Sequence, residues 1–422
     1  MRDNKDKALS FAIVCIFVVW TVKIYWGNWP VDLSALYFAA YFFDAGAYEL
    51  VYAPDGQAFW RQAHLEWREL AHSQGYYSDL IPAYIYPPLW TALLGPVARA
   101  VDFVSFANAF FVLFIGSILG MIGLAYAIAG RIAASLGKLG PPIWVFCLSG
   151  AFVAGFTSYG ALSFQLGQPQ IIVSFLMMLS LHLLIAGRDL SAGGVLALAA
   201  AIKLMPTMLV IVFVFERRWR ALFWFLGIGG ALGLLSIFLC GWPLHQALLV
   251  RIDYLGNHVS VSRLSTGFET LAYHLENLWH GFVFWDISGP SKEPKSAFVS
   301  LFGRAVLFFG LVGVWWTTRE IGQSIRIWLR FTLVLALVNA TSPLAWLHYM
   351  LLPAMLALVA YGLIVPQIPG IVLFAMAVLT SLPVYLFFAF SPIAGFGEVY
   401  LHFSLLVVTC ITLLQLGRNQ RE

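Results

Sequence analysis

The sequence predicts an all-α polytopic membrane protein with about twelve transmembrane or partly re-entrant helices. Three observations carry that expectation. Of the 422 residues, 61% are hydrophobic and 10% charged, against roughly 25% charged in soluble domains. Apolar runs at 9–26, 103–129 and 221–240 approach or exceed the ~20 residues that span a bilayer. Lys and Arg gather in short clusters between such runs, as membrane topology requires. Backbone polar groups in hydrocarbon must be satisfied within their own segment, so these runs are helices.

The elements follow in order. The N-terminal Met1–Lys7 stretch precedes an apolar run too long for a cleaved signal and without a small-residue cleavage site. It reads as an uncleaved first helix over 9–26. Residues 27–83 form a first outer loop. Within it, 56–73 is amphipathic: Phe59, Trp60, Trp67 and Leu70 share one face, opposite Arg61, Glu66 and Glu69. Such a helix is expected to lie in the membrane interface or to pack on the protein itself. Further apolar segments run near 84–98, 103–129, 142–164, 170–186, 190–215, 221–240, 298–316, 328–343, 347–364, 370–388 and 400–416. Basic clusters at 216–220, 319–330 and 417–421 mark the cytoplasmic side. They leave 241–297 as a second outer loop and both termini in the cytoplasm. The whole chain, 1–422, reads as one membrane domain.

One region admits two readings. Gly187-Arg188-Asp189 and Glu216–Arg220 both look cytoplasmic, yet one apolar stretch separates them. Segments 193–202 and 205–215, split at Lys203-Leu204-Met205-Pro206, form a re-entrant hairpin, or each crosses. The short 84–98 segment has the same two options.

The net charge of +4 sits in the loop clusters and needs no nucleic-acid partner. Cys15, Cys147, Cys240 and Cys410 lie in or at the ends of apolar runs without metal-ligand spacing, and read as buried thiols.

Five patterns carry the chemistry. Asp32 follows the first helix, with Tyr37, Gly46 and Tyr52 beyond it. A carboxylate at the outer membrane surface can take a proton from an incoming hydroxyl; the plain alternative is an exposed loop aspartate. Tyr84-Ile85-Tyr86-Pro87-Pro88 puts tandem proline at a helix entry, where missing N–H groups cost nothing. Gly167-Gln168-Pro169-Gln170 is a polar turn opening a helix. Lys203 interrupts an apolar stretch, where an ammonium costs ~2.5–3.5 kcal/mol on insertion scales and so faces a cavity, a partner or the interface. Thr341–Tyr349 places His348 at another helix junction beside Trp346 and Tyr349. Glu269 and His274, in the second outer loop, are weaker candidates that a solvated amphipathic helix explains as well.

In this order the patterns resemble glycosyltransferase family 87, the polyprenyl-phosphate-mannose-dependent mannosyltransferases of the GT-C superfamily. The resemblance covers roughly 30–350. This chain departs from it in having Pro169-Gln170 after Gly-Gln, and Gly267-Phe268-Glu269-Thr270 in the second outer loop. The resemblance implies a GT-C fold and an inverting, metal-independent transfer from a polyprenyl-phosphate sugar at the periplasmic face. Asp32 is then the general base, ionised at neutral pH. Tyr37, Tyr86, Gln168, Lys203 and His348 bind the donor, and Glu269 and His274 bind a glycolipid or glycan acceptor. No metal site and no cofactor beyond the lipid-linked sugar are expected. The multi-pass chain is expected in a bacterial inner membrane, among its lipids. Two other classes remain open: a ligase or polymerase of lipid-linked glycans, and a polytopic transporter or flippase.

Overall fold

The computed structural model describes residues 2–53, 64–77, 81–261, 265, 267–278, 291–363 and a few positions between 407 and 415. The expected segment at 370–388, most of that at 400–416, and Phe59 and Trp60 lie outside them. The described residues are overwhelmingly helical, and five helices are long and apolar enough to cross a membrane.

Helix α1 (Arg2–Tyr25) is followed by α2 (Val31–Asp44), α3 (Leu65–Ser73) and α4 (Leu89–Ala100). Long α5 (Phe103–Ser135) leads to a broken pair, α6 (Ile143–Phe156) and α7 (Ser158–Leu166), then to α8 (Gln170–Ile185). Helix α9 (Asp189–Ile202), a 3-10 turn and α10 (Val210–Phe215) precede α11 (Trp219–Asn257). The chain continues through α12 (Phe268–Leu278), α13 (Ala297–Thr318), α14 (Gln323–Thr341) and α15 (Leu351–Ala357). A short antiparallel hairpin, β1 (His258–Val261) with β2 (Ser291–Pro294), flanks α12.

The core forms where α5, α8, α14 and the 347–363 segment meet, with Ile118, Met177, Trp328 and Leu356 fully enclosed. Helix α14 is mostly enclosed, whereas α11 and α13 leave Phe223, Phe238, Leu301 and Phe309 exposed as a lipid-facing wall. Cys15, expected to be buried, is exposed on α1, because that helix is packed on one side only.

Two expectations about the short segments resolve physically. Asp189 pairs with Arg218 at 3.5 Å. The two ends of the 189–218 stretch therefore meet, and α9 rises to Lys203 and α10 returns. At ~1.5 Å per residue, α9 carries Lys203 about 21 Å from that base. The stretch is a re-entrant hairpin with Lys203 at its apex. Its base is locked by Glu216, which accepts from Arg326 at 3.0 Å and from Arg330 at 2.9 Å. Arg330 also donates to the Phe215 carbonyl at 2.8 Å.

The 84–98 segment is short as well, with α4 only twelve residues long. Trp90, at the start of α4, donates its indole N–H to Ala201 beside the hairpin apex. At the other end, the Tyr37 hydroxyl donates to the Val101 carbonyl. Helix α4 thus lies along α2 at the Asp32 end of the bundle, with Gly95 against Asp44.

Helix α3 is the described part of the predicted interfacial helix. Trp67 and Ala71 are buried, and the Trp67 ring lies 5.7 Å from Phe38 of α2. These two residues pack on the protein, in keeping with the second of the two placements the sequence left open. Within the predicted second outer loop, α11 instead continues past a kink at Gly241, where φ is 74°, followed by Pro243.

Candidate active site

Asp32 is the second residue of α2, in the first turn, where the helix dipole favours a negative charge. Pro30 precedes the helix with φ −75° and orients its entry. Opposite stands the turn between α7 and α8. Gly167 ends α7 in the left-handed region at φ 65°. A Cβ there would come 2.5 Å from the Pro30 Cβ and 3.0 Å from the Leu33 Cβ. Glycine alone permits both the backbone geometry and this approach. The result sets Gln168 against Asp32, and the Gln168 amide donates a hydrogen bond to the Asp32 carboxylate. Its Oε1 faces the Tyr86 hydroxyl at 3.4 Å.

Tyr86 is held by a strap with few backbone donors. The Tyr52 hydroxyl donates to the Tyr86 carbonyl at 2.7 Å, and the Tyr84 hydroxyl to the Pro87 carbonyl at 2.8 Å. The two prolines offer no N–H, so side chains pin the strap through its carbonyls.

From the other side come the hairpin apex and the 346–350 turn. Lys203 Nζ lies 4.0 Å from the centre of the Tyr349 ring, a cation–π contact. His348 is buried, stacked 6.0 Å from Trp346 and edge-on to Tyr349 at 4.7 Å. Its Nε2 has no hydrogen-bond partner among the described residues. Asn339 of α14 donates to the Tyr349 carbonyl at 3.0 Å and so fixes the turn.

Asp32 lies outside the membrane-spanning segments. Burial pushes its carboxyl up to about 7, against the opposing pull of the Gln168 hydrogen bond and the Lys203 charge. This differs from the expectation of a carboxylate fully ionised at neutral pH. The fold partly buries a group that the sequence placed in open water, and desolvation disfavours the charged form.

Asp32, Gln168, Tyr86, Lys203 and His348 therefore converge. Tyr37 does not. Five residues along a helix is about 500°, which turns it roughly 140° away from Asp32. Its hydroxyl is taken by Val101 and by the Gln74 amide at 3.0 Å, and its ring packs on Phe103 and Phe106. It is a packing residue, not a donor ligand. Glu269 and His274 are also not solvated: both are buried on α12. Glu269 pairs with Lys295 at 2.6 Å, so it ties α12 to the hairpin strand rather than offering a free carboxylate. The segment before α12 does reach the site, since Ser265 bridges to Trp346. Arg251, the described arginine of the second outer loop, donates to the Ala53 carbonyl. Sequence reasoning assigned no role to Tyr349 or Asn339. The signal for the latter was an amide inside an otherwise apolar helix.

An apolar groove of about 450 Å³ opens beside this cluster. Pro87 and Pro88 form one end next to Tyr86, and Leu204 lines it next to Lys203. Gly229, Gly230 and Gly233 of α11 line it along the bundle, facing Ala197 and Ala200 of α9.

A helical bundle with lipid-facing walls, and a carboxylate, an amide and an ammonium group gathered at one end beside an apolar groove, has the parts of a membrane-embedded transferase. The chain belongs to glycosyltransferase family 87, whose sequence profile matches residues 84–343. That span contains Tyr86, Gln168 and Lys203; Asp32 and His348 flank it. No curated protein matches the chain closely. The protein is thus a membrane glycosyltransferase.

Proposed function

We propose that this glycosyltransferase moves a hexose, with mannose the expected sugar, from a polyprenyl-phosphate donor to a glycolipid or glycan acceptor at the periplasmic face, with inversion. The convergence of Asp32 with Lys203 across a site that opens into an apolar groove carries the reading. An inverting displacement needs a base on one face of the anomeric carbon and charge neutralisation on the other. The acceptor oxygen attacks the anomeric carbon while Asp32 takes its proton. The bond from that carbon to the phosphate oxygen breaks, and the electron pair leaves with polyprenyl phosphate. The leaving group gains negative charge, so a nearby cation stabilises the transition state. Lys203 supplies that charge, and the His348 Nε2, without a hydrogen-bond partner among the described residues, is placed to hydrogen-bond the phosphate, with no metal ion needed for it. Gln168 orients the Asp32 carboxylate, and Tyr86 orients Gln168. The groove along the α11 glycines suits an isoprenoid tail. The location we propose is a multi-pass position in a bacterial inner membrane with both termini in the cytoplasm, a reading that the basic clusters at 216–220 and 319–330 support.

The test uses purified protein in lipid nanodiscs, radiolabelled polyprenyl-phosphate sugars and a membrane glycolipid extract, with Asp32→Asn alongside. Transfer by the native chain and its loss in Asp32→Asn is the expected result. Unimpaired turnover by Asp32→Asn would overturn the base assignment. A native protein that neither transfers nor hydrolyses any of these donors would overturn the donor class.

A further inference from the structure

Lys203 is partly buried, and a cation drawn out of water is ordinarily paired with a carboxylate. Lys203 is not. Among the described residues its ammonium makes no ion pair and donates no hydrogen bond; it sits 4.0 Å from the centre of the Tyr349 ring instead. Asp32 is close enough for its charge to act on both Lys203 and Tyr349, yet its carboxylate is taken by the Gln168 amide. Both partners of the ring contact are fixed from behind. Lys203 ends α9 in an extended conformation, φ −149° and ψ 131°, and its N–H donates to the Ala199 carbonyl at 3.1 Å. Two residues earlier, the Ala201 carbonyl takes the Trp90 indole N–H at 2.7 Å. The Tyr349 N–H donates to the Trp346 carbonyl at 2.9 Å, and the Tyr349 carbonyl accepts from Asn339 at 3.0 Å. Ile85 and Leu255 pack around Trp346 and Tyr349. The Tyr349 side chain is thus a fixed plate, 5% exposed, offered to the ammonium.

We propose that Tyr349 is a positioning residue for the transfer: its ring face holds the Lys203 ammonium charged and unpaired for the departing phosphate. The inference rests on the transferase reading above and adds a residue to it. A carboxylate in the same place would bind the ammonium more tightly, but it would also cancel the charge that the leaving group requires. An aromatic face attracts a cation through its quadrupole and carries no net charge. It leaves ammonium N–H groups free for phosphate oxygens. The phenol hydroxyl has no part in this. The charge state of Lys203 reads the contact. Burial draws the ammonium down to about 7, opposed by the Asp32 charge; the ring face favours the charged form, in the same sense as Asp32. Of the groups that face Lys203 from the strap and the 346–350 turn, none titrates there. Burial holds Tyr86 and Tyr349 above the range of a free phenol, and burial with the Lys203 charge holds His348 below that of a free imidazole. His245 of α11, in the adjoining groove, has both ring nitrogens engaged, by Ser236 and by the Gly241 carbonyl. The loss of activity at alkaline pH therefore belongs to Lys203.

The test compares Tyr349→Phe with replacement of Tyr349 by monofluorinated and trifluorinated phenylalanine, introduced by stop-codon suppression. Fluorine withdraws electron density from the ring face and nearly preserves its shape, so the series weakens the contact without opening a cavity. Two quantities are read in nanodiscs. One is the pH profile of kcat/KM. The other is the pH dependence of Lys203 acetylation by trace acetic anhydride, followed by mass spectrometry, which needs no turnover. Tyr349→Phe is expected to stay within about threefold of the native chain, with both limbs of the profile in place. The trifluorinated ring is expected to lower the labelling midpoint and the alkaline limb by about one pH unit, a loss of about tenfold on the alkaline side, with the monofluorinated ring between. Should the fluorinated chains fail to fold, Tyr349→Leu removes the ring outright, and the same downward move is expected of it. A midpoint and an alkaline limb that stay in place overturn the proposal, even if activity falls uniformly at every pH. A loss in Tyr349→Phe as large as in the fluorinated chains also overturns it, by assigning the role to the hydroxyl. A native protein that neither transfers nor hydrolyses the donor is the separate failure of the donor reading, and the labelling midpoint still decides this one.

Discussion

Asp32 is subject to two opposed influences. Enclosure drives its carboxyl up to about 7, while Gln168 and Lys203 favour the ionised form. The base is the deprotonated form, so activity grows as pH rises through that value. We expect kcat/KM to climb about tenfold per pH unit below 7 and to fall again above it, because burial brings the Lys203 ammonium down to about 7 and its charge is lost as pH rises. The donor phosphate is a diester with no ionisation in this range, so the limb belongs to the protein. A limb centred near the ordinary carboxylate value of about 4 would mean a solvated Asp32 in the working enzyme. At Gly167, alanine must adopt a left-handed conformation, at a cost of about 1–2 kcal/mol. Its Cβ must also displace Pro30. Gly167→Ala is expected to lower the melting temperature modestly and transfer much more, because the turn also aims Gln168 at Asp32. Loss of stability without loss of transfer would separate the turn from the catalytic geometry.

Among the elements, the re-entrant hairpin is the one whose position matters most to the chemistry. It carries Lys203 at its apex and is clamped at its base by Glu216, Arg326 and Arg330. The side chains of Glu216 and Arg330 are 1% and 4% exposed. Removing one charge leaves the other buried without compensation, which costs about 3–5 kcal/mol. Glu216→Gln is therefore expected to lower the melting temperature in detergent clearly, and Arg330→Leu similarly. An unchanged melting point in both would show that the network does not hold the hairpin base. At the other end, α2 and α4 pack side by side with Arg99 5.0 Å above the Tyr41 ring. From the start of α2 Asp32 faces Gln168, while Tyr37 of the same helix packs onto α5.

Across the whole molecule, an apolar groove runs from beside the site between α9 and α11. There α11 offers glycines to α9; a Cβ at Gly230 or Gly233 meets nothing within 4 Å. The void is therefore built by the absence of side chains rather than by a gap between helices. Gly230→Leu is expected to raise the KM of a long-chain polyprenyl donor about tenfold more than that of a two-isoprene donor, at about 1.4 kcal/mol of lost contact. Equal effects on both donors would remove the tail from this groove.

Much of the site was legible in the chain because its residues violate their surroundings. Lys203 in an apolar run, a proline pair at Tyr86, and Gly167-Gln168 between two helices each break a local pattern. Tyr37 misled because it is near Asp32 in sequence and on another side of the same helix. Glu269 and His274 looked solvated because nothing local reveals that Lys295 and α13 cover α12. The sequence by itself determined the membrane class, the helical content and the chemistry-bearing residues, since hydropathy, proline and isolated charge act within a few residues of themselves. The tertiary structure decided that Lys203 stands at an apex, that Asp32 is drawn partly out of water against Gln168, and where the apolar groove opens. Those outcomes depend on contacts between residues more than a hundred positions apart, such as Asp32 with Gln168 and Glu216 with Arg330, and no local pattern encodes them.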